Sequence, residues 1–278
     1  MANRIVILTS SQTGVQVAVA DYLLSNGFNV DAIIFEGIKG SRKRENFLAQ
    51  VVEKLLYLWH RWGYYIFTIY FISSIVSQRR IKKKVLSKSW TTKKNKNARL
   101  TQFDTIYDLN AKHGVKIIQV SSLNDDETKK YVKKLEPQIV LCLAARILRR
   151  GVLELPFLKI VNLHSMTLPE FRGLSPVGFR EILSNRAYFE INYIWLLNEL
   201  DTGGVIYKRK SHFSVYGVNL HFLSHVAVCK SRAAAGRAIN LIMDLNLTPF
   251  KESSVVDKVY TNPTRSEFME FIEKIKNV

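Results

Sequence analysis

Short apolar runs alternate with amphipathic stretches along most of this chain. Residues 5–8 form an uninterrupted apolar run, and residues 15–24 then show helical periodicity, which Asn26-Gly27 ends. A second apolar run covers residues 30–35. A strand, a turn, a helix and a strand in this order are the usual start of a doubly wound sheet.

The same alternation resumes after residue 100. Glu136-Pro137 breaks one helix, and Ser175-Pro176 starts another, with Pro176 at its first helical position. We expect further helices at 103–113, 125–135, 176–183, 218–244 and 263–274, and further strands at 115–120, 138–143, 160–164, 192–197 and 204–208. The sequence therefore predicts an α/β fold with a Rossmann-like, doubly wound, mostly parallel sheet and helices on both faces.

One segment, residues 40–100, interrupts this alternation. Within it, residues 55–76 are dense in Trp, Tyr and Phe and approach the length that spans a membrane. His60 and Arg61 disfavour a span, because charged groups are costly inside a bilayer. Residues 79–99 then carry ten lysines and arginines and no acidic residue, which explains most of the formal net charge of +18.

Two interpretations of this insertion stay open. An aromatic segment followed by a polybasic run is suited to peripheral contact with anionic lipid at the inner face of the membrane. Alternatively, the aromatic helices pack on the main domain or across a homodimer interface, and the basic run is a solvated linker. Nucleic-acid binding is disfavoured, because only Trp90 is interleaved with the charges.

The two cysteines and the first residues indicate the compartment. Cys142 and Cys229 are far apart in apolar contexts, with neither a disulfide framework nor the spacing of metal ligands. We therefore expect reduced thiols, no metal and a cytoplasmic protein. Residues 1–12 have too short an apolar run for a signal peptide and fit a first core strand.

The loop after the first strand, residues 9–14, is rich in hydroxyl groups. Its backbone N–H groups and the hydroxyl of Ser11 at a helix N-terminus predict an anion site that contacts substrate. The alternative is a polar turn in which Thr13 caps the helix. The loop lacks the glycines of a dinucleotide fingerprint, so neither NAD nor ATP is expected.

Polar groups gather around the strand at 160–164. Side chains alternate across a strand, so Asn162 and His164 leave one face and Val161 and Leu163 the other. Asp201 lies on a later turn, Leu200-Asp201-Thr202-Gly203-Gly204, that can fold back toward the same sheet edge. An amide, an imidazole and a carboxylate at one edge are suited to proton transfer and to stabilising an oxyanion.

The order of these motifs resembles the formyltetrahydrofolate-dependent formyltransferase family, which includes glycinamide ribonucleotide, methionyl-tRNA and sugar N-formyltransferases. The resemblance covers residues 1–38 and 101–278. It rests on Ala145-Arg146-Ile147-Leu148, Asn162-Leu163-His164, Leu168-Pro169, Arg172-Gly173-Leu174-Ser175-Pro176, Asp201-Thr202-Gly203 and the closing segment 259–264. Two departures are Ser165, where the family usually has Pro, and the first loop, which lacks the Gly-rich phosphate loop of the glycinamide ribonucleotide enzyme.

The resemblance implies roles for three catalytic residues. Asn162 would donate its amide N–H to the developing oxyanion, and His164 would donate to the same oxygen or act as the proton shuttle. Asp201 would orient His164 and favour its charged form. The reaction implied is the transfer of a formyl group from N10-formyltetrahydrofolate to a primary amine.

The resemblance also implies binding residues. The backbone of Ala145, Arg146, Ile147 and Leu148 would hold the pterin of the formyl donor, with Ile147 and Leu148 as apolar walls, and Gly203 would lie beside it. The residues expected to contact the amine acceptor are Ser11, Arg172 and Gly173.

The domain boundaries and the acceptor are further expectations. Residues 1–210 would form the catalytic domain, interrupted by 40–100, and 211–278 a helical extension of it. The acceptor would be a nucleotide- or lipid-linked amino sugar, because the residues after Asp201 do not fit the additional barrel of the methionyl-tRNA enzymes. Two alternatives stay open, a formyltetrahydrofolate hydrolase and a membrane-associated binding module with a vestigial site.

Overall fold

The computed structural model describes residues 4–37, 104–149, 151–155, 159–215, 218, 220–252 and 258–276. The aromatic and basic insertion at 40–100 lies outside the described residues, and so do both interpretations of it. None of the helices in the described part of the chain combines the length and the apolar character that crossing a bilayer requires.

Nine strands and six helices are present in the described ranges. The strands are β1 (Ile5–Thr9), β2 (Val30–Glu36), β3 (Lys116–Val120), β4 (Ile139–Cys142), β5 (Lys159–His164), β6 (Arg172–Gly173), β7 (Tyr188–Trp195), β8 (Val205–His212) and β9 (Val259–Tyr260). The helices are α1 (Val15–Ser25), α2 (Ile106–His113), α3 (Asp126–Leu135), α4 (Phe179–Leu183), α5 (Leu220–Asp244) and α6 (Arg265–Lys276).

Seven of the strands form one sheet in the order β3-β2-β1-β4-β5-β7-β8. Pairing is parallel from β3 to β5 and antiparallel from β5 through β7 to β8. The α/β fold class is therefore confirmed, with two antiparallel strands added at one side. Strands β6 and β9 form a separate parallel pair that joins the 172–173 segment to the C-terminal region.

Alternation along the central strands divides the core into two layers. Ile5, Ile7 and Val161 pack in one layer with α1, α5 and α6, whereas Val6 and Ile160 pack in the other layer with α3. This is the period-2 pattern of a sheet that is covered on both faces. The same alternation sends Asn162 and His164 toward the second layer, as predicted.

Several helices and strands begin at residues other than those predicted, because of the local turns that precede them. Helix α4 begins at Phe179, after Gly178 in the left-handed region at φ 79°, so Pro176 is not its first residue. Strand β7 begins at Tyr188, four residues before the predicted start, and α1 has Gly14 as its N-cap rather than Thr13. Helix α2 starts later than predicted because Thr105 and Asp108 form a capping box.

The C-terminal helices share the core of the sheet. Ala235 and Ile242 of α5 and Phe268 and Phe271 of α6 belong to the same apolar layer as Ile5 and Val161. This packing agrees with an extension of one domain, although the boundaries 1–210 and 211–278 stay predictions. Cys142 lies in the other layer, where burial raises the pKa of its thiol to about 12 and leaves it a protonated, unreactive apolar side chain.

Candidate active site

Strand β5 brings an amide and an imidazole to the carboxyl edge of the parallel strands. Asn162 is half-buried and His164 is only 6% exposed, at the last position of the strand. Across the antiparallel pairing, His164 lies opposite Asn192 of β7. In open α/β sheets, ligands bind beyond the carboxyl ends of the strands, so this edge is the expected place for a site.

The turn after β7 delivers a carboxylate to the same place. Asp201 has φ of 50° and is 7% exposed, and its Oδ2 accepts a hydrogen bond of 2.9 Å from the backbone N–H of Gly173. The guanidinium of Arg172 donates to the carbonyl of Leu200 through Nε at 3.0 Å and Nη2 at 2.6 Å. Two neighbouring residues of β6 therefore fix the Asp201 turn.

The three predicted side chains meet at this edge. Oδ2 of Asp201 lies 3.5 Å from Nδ1 of His164, and Oδ1 lies 3.5 Å from Nδ2 of Asn162. Both separations are long for hydrogen bonds. The carboxylate is thus aimed at the imidazole and the amide together, which is the arrangement predicted from the sequence.

The other ring nitrogen of His164 determines its tautomer. Nε2 lies 2.9 Å from the carbonyl oxygen of Phe171. A carbonyl can only accept, so Nε2 carries the hydrogen and donates it. In the neutral ring, Nδ1 then bears the lone pair and faces Asp201. The nitrogen that can take up a proton is therefore the one directed toward the carboxylate.

The predicted hinge lies beyond β4 and is held by two side chains that the sequence analysis missed. Ser10 Oγ accepts from the N–H of Arg146 at 2.9 Å, and Asn124 Nδ2 donates to the carbonyl of Ile147 at 3.1 Å. Asn124 also accepts from the N–H of Arg149 at 2.6 Å. Ser10 and Asn124 each follow a strand end, where the fold rule for α/β sheets could have identified them.

The two apolar side chains of the hinge, Ile147 and Leu148, differ in their exposure to solvent. Ile147 is 60% exposed and can form an apolar wall, but Leu148 is 6% exposed and packs in the core layer around Ile160. The role of Leu148 as an apolar wall for the pterin stays a prediction. The Arg146 guanidinium extends from the hinge to Oε1 of Glu36, at 2.8 Å.

A cavity of about 380 Å³ opens beside Ile160 of β5 and the segment 196–202, which contains the Asp201 turn. Its apolar walls include Leu153, Ile160 and Leu196, which belong to the core layer that also contains Leu148. Its remaining lining residues are Leu197, Asn198, Glu199, Thr202, Pro249 and Lys251. Apolar walls with a few polar groups, at this volume, are typical of pockets for small ligands, which span about 300–1,000 Å³.

The cavity lining was also missed by the sequence analysis. Glu199 and Lys251 form an ion pair of 2.8 Å at its rim, and both side chains are exposed. The only sequence signal is the apolar pair Leu196-Leu197 directly after β7, where the alternation of the strand stops.

Three residues expected to contact the acceptor also make contacts within the protein. Ser11 Oγ donates to the carbonyl of Thr13 at 2.9 Å, within its own loop. Arg172 is buried and its guanidinium donates to the carbonyl of Leu200, so it helps to hold the turn, and its contact with the acceptor stays a prediction. Gly173 has φ of 99°, and a Cβ there would lie 2.2 Å from the carbonyl oxygen of Tyr260.

Gly203 is likewise explained by close backbone packing. A Cβ at this position would lie 1.8 Å from the carbonyl oxygen of Trp195. Glycine is therefore required for the turn to approach β7, and the contact of Gly203 with the formyl donor stays a prediction. Ala145 is partly buried beside the core layer that lines the cavity.

Comparison with known sequences points to one family. The family model described as formyl transferase matches residues 75–215, just over half of the chain. The match starts at residue 75, inside the 40–100 insertion that was expected to lie outside the family pattern, and does not include residues 1–38. Methionyl-tRNA formyltransferase of Moorella thermoacetica is 32% identical over 98 residues, which is 35% of this chain and 31% of the relative. The match thus spans about a third of the length of that curated relative.

Comparison with solved structures shows the same fold. Glycinamide ribonucleotide transformylase 1 from Symbiobacterium toebii superposes with a TM-score of 0.57 and 13% identity, covering 92% of each chain. The N-formyltransferase from Helicobacter canadensis, solved with folinic acid and dTDP-3-aminofucose, gives a TM-score of 0.53 and 14% identity. That alignment covers 99% of this chain and 81% of the other.

Proposed function

Because this chain belongs to the formyl transferase family, we propose that it transfers a formyl group from N10-formyltetrahydrofolate to a primary amine. The observation that carries the proposal is the meeting of three side chains. The Asp201 carboxylate lies 3.5 Å from both His164 Nδ1 and Asn162 Nδ2 at the carboxyl edge of the sheet.

The residues around the cavity fit the donor. A pterin needs apolar walls and polar groups at its edge, and the cavity offers Leu153 and Leu196 beside Asn198 and Thr202. The exposed Ile147 and the backbone of Ala145 and Arg146 border the same side of the sheet. When bound, N10-formyltetrahydrofolate supplies the formyl carbon on which the amine acts.

Asn162 and His164 would have different roles in the reaction. The Asn162 amide has two N–H groups, so it can approach Asp201 with one and donate the other to the negative charge that develops on the formyl oxygen. His164 Nδ1 would take the proton that the amine loses as its nitrogen bonds to the formyl carbon, while Nε2–H stays on the carbonyl of Phe171. The imidazolium would then return this proton to N10 of the donor as the bond between the formyl carbon and N10 breaks, so that tetrahydrofolate leaves. Asp201 would stabilise the resulting imidazolium by its opposite charge.

We propose an amino sugar, nucleotide- or lipid-linked, as the acceptor. Support comes from the Helicobacter canadensis enzyme, which binds dTDP-3-aminofucose in the same fold. The first loop and residue Ser11 stay the proposed contact for the anionic part of the acceptor, because this loop precedes α1 at the same edge of the sheet. Arg172 and Gly173 would also act on the acceptor through the position of Asp201.

A product survey tests this proposal. The full chain is incubated with N10-formyltetrahydrofolate and a panel of nucleotide-linked amino sugars, and products are identified by mass. We expect one amino sugar to gain a formyl group, and the Asn162→Ala, His164→Ala and Asp201→Ala variants to lose the reaction. Formate released at the same rate without any amine would support the hydrolase instead, and no turnover of the donor at all would support the binding module.

We also propose that the 40–100 insertion contacts anionic lipid. Support comes from its sequence alone, in which an aromatic segment precedes ten basic residues. Flotation with vesicles rich in phosphatidylserine should retain the full chain and lose a variant that lacks residues 40–100, and high salt should weaken retention. Equal flotation of both forms would overturn the proposal, and a loss of dimerisation on deletion would favour a homodimer interface.

A further inference from the structure

Glu181 is a fully buried carboxyl group that the proposed reaction does not use. It lies on the short helix α4 and is 0% exposed. Burial is the main reason why its pKa is raised, and hydrogen bonds from Thr167 oppose that rise. A buried carboxyl group is expensive unless it makes specific interactions, so its contacts are informative.

Within the described part of the chain, both hydrogen bonds that other residues donate to the Glu181 side chain come from one residue of the loop after β5. Oε1 accepts from the backbone N–H of Thr167 at 2.8 Å and from its hydroxyl at 3.1 Å. Oε2 is buried, and no donor from the described residues forms a hydrogen bond with it. The side chain is therefore directed at Thr167 at a cost in desolvation, which suggests that this loop must be held in one position.

A continuous path of hydrogen bonds joins Glu181 to the imidazole. The carbonyl of Thr167 accepts from the N–H of Phe171 at 2.9 Å, which closes the loop into a turn. The carbonyl of Phe171 then accepts from Nε2 of His164 at 2.9 Å. Glu181 thus fixes the position of the carbonyl that determines which ring nitrogen of His164 carries the hydrogen.

A second contact anchors the same loop independently. Asn192, opposite His164 on β7, donates to the carbonyl of Met166 at 2.7 Å. Loss of Glu181 would therefore release Thr167 and the turn to Phe171 while the loop stays attached at Met166. The expected consequence is local, which makes the role of Glu181 separable from general folding.

We propose that Glu181 is a positioning residue that holds His164 in the Nε2–H tautomer, with Nδ1 free to accept a proton. The importance of this tautomer rests on the proposed formyl transfer, but the tautomer itself is a property of the ligand-free protein. Glutamine can accept the same two bonds from Thr167 through its carbonyl oxygen, whereas leucine can accept neither.

Nitrogen-15 NMR of the imidazoles distinguishes the two neutral tautomers without substrate. The His164 signal is assigned by its loss in His164→Gln, and spectra are compared for wild type, Glu181→Gln and Glu181→Leu at a pH where the ring is neutral. We expect wild type and Glu181→Gln to show mainly the Nε2–H form and Glu181→Leu to show both. Glu190→Leu is the matched control, because Glu190 is a buried carboxyl on β7 that makes no bond to the loop.

Two results would overturn the proposal: a Glu181→Leu spectrum identical to that of wild type, or a Glu181→Gln spectrum that matches the leucine variant. If Glu181→Leu does not fold, Thr167→Val provides the same test, because it removes the hydroxyl bond and keeps the backbone bond. We then expect a smaller shift toward the second tautomer. In the transfer assay, Glu181→Leu should lower kcat and leave KM for both substrates within about twofold, as for a lost transition-state interaction.

An absence of formyl transfer by wild type would overturn the proposed function while the NMR result still decides the role of Glu181. Conversely, a wild-type enzyme that transfers formyl groups and keeps one tautomer in all variants would overturn only the role of Glu181.

Discussion

Oδ2 of Asp201 lies 3.5 Å from Nδ1 of His164 and simultaneously accepts the backbone N–H of Gly173 at 2.9 Å. The carboxylate is therefore held by the main chain before any ligand arrives. Since Nε2 of His164 is held by the carbonyl of Phe171, both partners have fixed orientations. Such preorganisation is the feature that lets polar groups stabilise developing charge without reorganising.

Arg172 provides a test of how the Asp201 turn is fixed. Arg172→Ala removes both hydrogen bonds to the carbonyl of Leu200. Because displacement of a catalytic group by about 1 Å can cost about a hundredfold in rate, we expect kcat to fall by about that factor with KM for the amine nearly unchanged. Steady-state kinetics measure both. Arg265→Ala, at the exposed start of α6, is the control.

The opposite pattern would support the original expectation for Arg172. If KM for the acceptor rises strongly while kcat stays near that of wild type, the guanidinium binds the acceptor in the working complex.

The cavity beside the Asp201 turn, proposed to hold the donor, predicts a donor-specific effect. Leu153 is partly buried on its wall, so Leu153→Trp would fill space that the pterin needs. Overpacking costs about 1–3 kcal/mol, so KM for the donor should rise about tenfold or more while KM for the amine stays unchanged. Calorimetric titration with the donor should show the same loss. Tyr107→Trp, half-exposed on α2, should match wild type in both measurements.

An equal rise in KM for both substrates would contradict the proposal that the cavity binds the donor. It would indicate that the substitution disturbs the turn that carries Asp201 instead of the pocket for the pterin.

The C-terminal helix is attached through a pH-sensitive ion pair. Arg180 of α4 pairs with Glu267 of α6, and Thr264 donates to the same carboxylate at 2.7 Å and 3.0 Å. These bonds lower the pKa of Glu267 to about 2 from an ordinary value of 4.5. The stabilisation is therefore complete above about pH 4.5 and is lost as the pH falls toward 2.

Glu267→Gln should reveal this dependence. At pH 7 we expect the Tm of the variant to lie about 5 °C below that of wild type, because the buried guanidinium loses its charged partner. The difference should shrink as the pH falls from about 4.5 toward 2, the pKa of the Glu267 carboxyl in the folded protein. Thermal unfolding at several pH values measures it, with Glu270→Gln on the exposed face of α6 as the control. A difference that is constant across this range would contradict the interpretation.

The strands and the site were predictable to different extents. The hydrophobic pattern located the central strands because both faces of the sheet are covered. Val6 and Ile7 point to opposite faces and both are buried, so the strand is a continuous apolar run. Periodicity also placed Asn162 and His164 on one face, since alternation in a strand is a local property. The meeting with Asp201 was expected from a turn that can fold back and from the family pattern, and not from periodicity.

Long-range contacts made the remaining features invisible in the sequence. The pairing of β6 with β9 explains Gly173, but it joins segments that are far apart and each only two residues long. Arginine is a residue type that often contacts substrates, so the sequence suggested that role for Arg172. The fold shows that its guanidinium donates to the carbonyl of Leu200. Ser10 and Asn124 support the hinge by single side-chain bonds, which leave no periodic signal.

The central claim is that Asn162, His164 and Asp201 act together on a formyl group. A single-turnover experiment with donor labelled in the formyl group and the acceptor found in the product survey tests it most directly. Asp201→Asn keeps the shape of the side chain and removes its charge, so we expect the transfer rate to fall by about 10²–10⁴-fold, with comparable losses for His164→Ala and Asn162→Ala. Transfer at the wild-type rate by any of these three variants would contradict the account.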